Sequence, residues 1–247
     1  VLVHHYEAGT STSLVPDEVL YGAGKLGLTY TTNPANIPNF SVVNATPPNH
    51  TGVYHIGGLT VVTYEYVRDN AGDVTVHHLE QGTSTQLMPD VTLSGIRNLG
   101  LPYITNDLSI PNFALVAQPG NKSGIYSNTP QSVTYLYKRA DAGDVLVHYV
   151  EAGTSNSLSP DMILSGAGKS GLPYSTAPVP VTNFTVVSIN PTDYVGTYTA
   201  GVTKVVTYEY VRDSAADITV RHIEQGTGIQ LATTDTLSGV RMLGLPY

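Results

Sequence analysis

Apolar and polar residues alternate along Val61–Val67, placing Val62, Tyr64 and Tyr66 on one face of a predicted strand and Val61, Thr63 and Glu65 on the other. The alternation stops at a short Asp/Asn/Ala/Gly segment and resumes at Val74, so VVTYEYVRDNAGDVTVHH, from Val61 to His78, reads as strand, tight turn, strand. The passage returns as SVTYLYKRADAGDVLVHY from Ser132 to Tyr149 and as VVTYEYVRDSAADITVRH from Val205 to His222. Each copy is read as a joint between two modules.

Modules open at Val1, Val74, Val145 and Ile218, at spacings of 73, 71 and 73 residues. The expected domains are residues 1–73, 74–144, 145–217 and a partial fourth, 218–247. Modules one and three share EAGTS (Glu7 to Ser11, Glu151 to Ser155) and GAGK (Gly22 to Lys25, Gly166 to Lys169). Modules two and four share EQGT, and LSGIRNLGLPY at Leu93–Tyr103 is answered by LSGVRMLGLPY at Leu237–Tyr247, so the larger period is 144 residues.

Within module one, Leu2–Tyr6 predicts a strand, Ala8–Thr10 a turn and Leu14–Leu20 a returning strand, together a hairpin. Gly22–Leu28 is too short and glycine-rich for a helix and predicts turns. Ser41–Val43 begins a third strand, broken by Pro47, Pro48 and Gly52. Phe40, Phe113 and Phe184, the only phenylalanines, read as one aromatic core anchor per complete module. No long helix is predicted. The expected fold class is mostly β, with small modules strung end to end in an elongated tandem array.

Composition narrows the function classes. Without cysteine there are no disulfides or thiolate metal sites. A net charge of −8 with 11 scattered Lys and Arg argues against nucleic acid and against anionic membrane surfaces. No apolar run approaches the roughly 20 residues of a membrane span, and no signal peptide is seen. The fourth module stops at Tyr247 before a closing VTYEY strand, which suggests a piece of a longer array with its targeting and anchoring segments elsewhere.

The order VTVHHLEQGT, PD, LSG, GLPY, IPNF, SGIY, SVTYLY resembles the MucBP (mucin-binding protein) repeat of Gram-positive surface proteins, once per module over the whole chain. The resemblance implies a β-grasp-like, ubiquitin-related fold and adhesion to mucin or other host glycans. Two departures stand out. Asn39, Asn112 and Asn183 replace a usual glycine, suggesting a different backbone at that turn, and Thr233 and Thr234 replace the Pro-Asp pair found at Pro89 and Asp90.

The candidate chemistry is one of binding and not catalysis. Charged residues are few and turn-bound, and no catalytic triad, phosphate loop or zinc spacing appears, so no enzyme is expected. His4 and His5, His77 and His78, His148 and His222 lie on the first strand of successive modules; neighbours face opposite ways and cannot jointly chelate, which reads them as partly exposed strand residues, with a metal or pH-sensing role as the alternative. Asp69, Asn70 and Asp73, Asp141 and Asp144, and Asp213 and Asp217 gather oxygens at the joints. They suit either turns or inter-module calcium, although each joint is short of a full shell. Tyr30, Tyr103 and Tyr174, with Tyr54, Tyr126 and Tyr198, recur at fixed positions and suit either the core or sugar stacking. Asn-X-Ser/Thr sequons at Asn39, Asn44, Asn49, Asn121 and Asn183 matter only in a glycosylating host.

The expected protein is extracellular, on the cell surface or attached to the cell wall. Its expected role is an adhesin array binding mucin-type glycans weakly per module and gaining avidity by repetition. The alternative is a structural stalk or filament without its own ligand, in which self-association supplies the missing strand of the fourth module.

Overall fold

The computed structural model describes residues 1–192 and 194–247. Its strands come in three sets of six and a final pair. The first set is β1 (Leu2–Glu7), β2 (Glu18–Val19), β3 (Thr29–Thr31), β4 (Phe40–Val42), β5 (Thr51–Val53) and β6 (Val61–Arg68). The second is β7 (Val74–Glu80), β8 (Gln86–Leu93), β9 (Pro102–Ile104), β10 (Phe113–Ala117), β11 (Ser123–Ile125) and β12 (Gln131–Arg139). The third is β13 (Val145–Glu151), β14 (Ser157–Leu164), β15 (Pro173–Ser175), β16 (Phe184–Asn190), β17 (Val195–Thr197) and β18 (Lys204–Arg212), followed by β19 (Ile218–Ile223) and β20 (Gln230–Leu237).

Each complete module is a four-stranded mixed sheet plus a two-stranded ribbon. The sheets run β2-β1-β6-β4, β8-β7-β12-β10 and β14-β13-β18-β16; the ribbons are β3-β5, β9-β11 and β15-β17. First and last strands of a module lie side by side and parallel, with Val3 opposite Val62 and His5 opposite Tyr64. The same register pairs Val76 with Val133 and His78 with Tyr135, then Val147 with Val206 and Tyr149 with Tyr208. The chain forms two compact units, residues 1–108 with 115–137, and residues 109–114 with 138–247.

The alternation predicted for Val61–Val67 is present, with Val62, Tyr64 and Tyr66 at 0–1% exposure. The two strands of the joint passage lie in different sheets: β6 bonds β1 and β4, whereas β7 bonds β12 and β8, so the segment between them carries the chain from one sheet to the next. Two expectations change. The return strand Leu14–Leu20 contracts to β2: Tyr6 bridges Ser13 and pairing resumes at Glu18. Phenylalanine is not the sole aromatic anchor. The cluster at the sheet of module one buries Tyr64 and Tyr66, with Phe40 only partly buried beside them.

Candidate functional site

Tyr30 lies opposite Gly52 across the β3-β5 ribbon, and a Cβ at Gly52 would come within 2.5 Å of its hydroxyl oxygen. Gly124 and Gly196 hold the same relation to Tyr103 and Tyr174. The rings also meet Tyr54, Tyr126 and Tyr198 edge-on at 5.4–5.5 Å. Tyr30, Tyr103, Tyr126 and Tyr198 are buried, and Tyr54 and Tyr174 are half-buried. The six recurring tyrosines thus form one edge-to-face pair per module, seated on a glycine.

A second aromatic cluster lies on the inner face of each sheet. In module one His5, 3% exposed, stacks on Tyr64 at 5.5 Å and bonds the Tyr66 hydroxyl through Nδ1 at 2.9 Å. Tyr66 donates to the Ala35 carbonyl, so the proton of the pair sits on His5 Nδ1. His78 repeats the arrangement with Tyr135 and Tyr137, whose hydroxyl accepts the Leu108 N–H. Burial lowers both histidine pKa values below the ordinary 6.5, against the pull of Glu18 and Asp17 on His5 and of Asp107 and Asp90 on His78. Module three carries Tyr149 at this place, stacked on Tyr208, with a buried hydroxyl that has no partner. Thr32, Thr105 and Thr176 complete the cluster by hydrogen bonds of 2.9 Å to the Tyr64, Tyr135 and Tyr208 hydroxyls. Their signal was available as a Thr two residues after each recurring tyrosine, but spacing alone does not single it out.

The other histidine of each strand faces outward. His4, His77 and His148 pair through Nδ1 with Asp17, Asp90 and Asp161 at 2.7–2.8 Å. A bulge makes this possible: β8 skips two residues between Val91 opposite Val76 and Met88 opposite His78, which turns Asp90 toward His77. So the adjacent histidines split into one buried ring and one surface ring paired with an aspartate, a distinction the sequence reading had not drawn. In module four Arg221 and Thr234 stand at these two positions, and His222 instead meets Asp235 at 3.2 Å.

At each joint an aspartate caps a turn of the following module. Asp73, Asp144 and Asp217 each accept a backbone N–H, from Gly95, Gly166 and Gly239, at 2.7–2.8 Å. Ala71, Ala142 and Ala215 donate to the carbonyls of those same glycines. A Cβ on any of the three glycines would approach joint backbone to 2.2–2.3 Å, so the approach requires glycine. Asn70 and Asp141 accept from Arg97 and Gly168, while Asp69 and Asp213 accept from Ser41 and Thr185 hydroxyls. Among the described residues, no three His, Asp or Glu side chains are grouped to hold a metal ion.

Arginine completes each joint. Arg68, Arg139 and Arg212 lie over Phe40, Phe113 and Phe184 at 4.4–4.7 Å and donate to the carbonyls of Leu99, Ser170 and Leu243. Asn39, Asn112 and Asn183 have φ of 63–65°, the left-handed region that glycine favours, so the turn keeps a glycine-like backbone. Their amides sit where Cβ atoms of Gly100, Gly171 and Gly244 would lie, at 2.4–2.5 Å. The sequence reading missed these arginines, because their partners are carbonyls some 31 residues away.

Comparison with known proteins agrees with the repeat. The MucBP domain matches residues 1–67, 73–138 and 144–211. Internalin J of Listeria monocytogenes serovar 1/2a is 32% identical over 242 residues, covering 95% of this chain and 27% of that protein. Internalin J of serotype 4b is 31% identical, covering 95% and 25%. The chain spans about a quarter of the length of these relatives. Among solved structures, streptococcal SHIRT domains 3-4 from a cell surface protein align at 12% identity and a TM-score of 0.30, over 58% of this chain and 99% of that one. The type 2 repeat of the mucus binding protein MUB from Lactobacillus reuteri aligns at 15% and 0.19, over 57% and 100%. With three consecutive matches covering most of its length, the chain belongs to the MucBP domain family, a tandem-repeat chain of the surface- or cell-wall-associated kind.

Proposed function

We propose that this stretch serves its parent adhesin as a spacer, with modules corresponding to residues 1–73, 74–144, 145–217 and 218–247. The observation that carries the reading is where the recurring residues go. The tyrosine pairs and inner histidines are taken up by cores, and Asp73, Asp144 and Asp217, with Arg68, Arg139 and Arg212, bond the next module's turns. Parallel pairing of first and last strands supports viewing each module as a reduced β-grasp with turns in place of the helix.

Weak glycan binding is the second reading, favoured by the outward His–Asp pairs, which recur in all three complete modules without serving a core. The family's association with mucin makes mucin-type glycans the ligands to try. A glycan array probed with the full chain, with and without calcium, separates the readings. Binding lost on combining His4→Ala, His77→Ala and His148→Ala would establish the glycan role, whereas a folded chain that binds nothing supports the spacer.

A further inference from the structure

A joint has two sides, the trailing end of one module and a turn of the next that receives it. In modules two, three and four the receiving glycine, Gly95, Gly166 or Gly239, is buried under that end. Gly22 holds the same place in module one and is exposed. Leu26 is 62% exposed, whereas its counterpart Ser170 is 1% exposed, its N–H bonded to the Ala140 carbonyl and its carbonyl to Arg139.

Module one nonetheless has the receiving geometry. Its turn repeats the GAGK of module three, and Gly24 and Gly27 have φ of 72° and 76° against 64° and 78° at Gly168 and Gly171. The bonds inside the turn match as well. The N–H groups of Lys25, Gly27 and Leu28 reach the carbonyls of Gly22, Tyr54 and Lys25, as those of Lys169, Gly171 and Leu172 reach Gly166, Tyr198 and Lys169. Gly22, Leu26, His55 and Thr60 line a cavity of ≈ 280 Å³ on this face. Their counterparts Gly166, Ser170, Thr199 and Lys204 each bond the backbone of residues 140–144, so the cavity walls are the groups that grip a joint in module three.

We propose that this face of module one is a docking surface for the trailing end of another module of the same family, with the chemistry of RADAGD at Arg139–Asp144. The end of module two fits because the turn it already holds, Gly166–Lys169, is identical to Gly22–Lys25. In the docked arrangement an aspartate at the place of Asp144 accepts the Gly22 N–H, and one at the place of Asp141 accepts the Gly24 N–H. The intervening alanine donates to the Gly22 carbonyl and the arginine to the Leu26 carbonyl. A second copy of this chain is not the occupant, since its three such ends are already seated on Gly95, Gly166 and Gly239. The docking holds under either reading of the function, because it concerns the joint and not a glycan.

Amide hydrogen exchange tests this in an extended chain, with residues 1–144 repeated ahead of Val1 so that Asp144 of the added copy precedes it. The Gly22 and Gly24 amides of the original chain are expected to exchange at least about tenfold more slowly than without the extension, while Gly22 of the added copy stays fast. Asp144→Ala in the added copy returns the original Gly22 to its unextended rate, and Asp144→Asn, which keeps an accepting oxygen, retains the protection. An extended chain whose original Gly22 and Gly24 exchange as before overturns the proposal, as does an Asp144→Ala variant that keeps the protection. So does an unextended chain whose Gly22 gains protection as its concentration rises, because the face would then belong to a second copy.

Discussion

Tyr149 is the residue at which the repeat departs most from its own pattern. Histidine at this place reaches the hydroxyl of the second core tyrosine, whereas the longer tyrosine ring leaves a buried hydroxyl unbonded. A buried polar group without a partner costs about 1–3 kcal/mol. Tyr149→Phe is therefore expected to raise stability by about 1 kcal/mol, read as slower hydrogen exchange along β13 and β18. The opposite outcome is expected at Gly124. A methyl there meets the Tyr103 hydroxyl oxygen at 2.8 Å and its ring at 2.9 Å, and Gly124→Ala should cost about 1–3 kcal/mol, measured as faster exchange in β9 and β11. The paired recurrence of Tyr and Gly was legible in the sequence, but their facing each other across a ribbon was not, since 21 residues of loop and strand separate Tyr30 from Gly52.

At the scale of elements, the joints show one turn chemistry used three times. Asp73, Asp144 and Asp217 each satisfy a glycine amide in the following module, so Asp144→Ala should cost about 1–2 kcal/mol by stranding the Gly166 N–H. Thermal unfolding checks this, and the capping role carries a second expectation: chelator or millimolar calcium leaves the parent's transition unmoved. A transition raised by calcium and lowered by chelator would instead restore the inter-module ion. Joints one and three also hold an arginine in the left-handed region, Arg97 at φ 56° and Arg241 at φ 57°, where joint two has Gly168. Relieving that strain with Arg97→Gly is expected to be neutral or stabilising by up to about 1 kcal/mol.

For the whole molecule the buried histidines set a pH dependence that differs among modules. With folded pKa values lowered by burial, the unfolded chain binds more protons as pH falls below 6.5. The contribution of neutral His5 and His78 is complete above that pH and is lost as pH falls through the folded values. Module three has no titrating group at this place near neutrality, because burial raises Tyr149 above its ordinary 10.0. The outward His–Asp pairs occur in all three modules, so comparison isolates the buried position. Between pH 7 and pH 5, amides of β1, β6, β7 and β12 should lose more protection than those of β13 and β18, after correction for intrinsic exchange. His78→Phe should remove the extra loss in β7 and β12, and equal losses everywhere would show that the buried imidazoles are not its source.

Alternation along Val61–Val67 determined which face of β6 is buried, because successive side chains of a strand point to opposite faces wherever it lies. Repetition likewise determined the joints, and composition excluded thiol chemistry and a basic surface. Strand partners were decided only by the tertiary structure. β6 and β7 are neighbours in sequence yet sit in separate sheets, while β1 and β6 are some 60 residues apart and in register. The same limit governs the candidate site. Tyrosine, histidine and aspartate at fixed spacings announce that something recurs, but whether a ring meets glycine, a neighbouring hydroxyl or water depends on which strand lies beside it, and that contact is made only when distant segments pack.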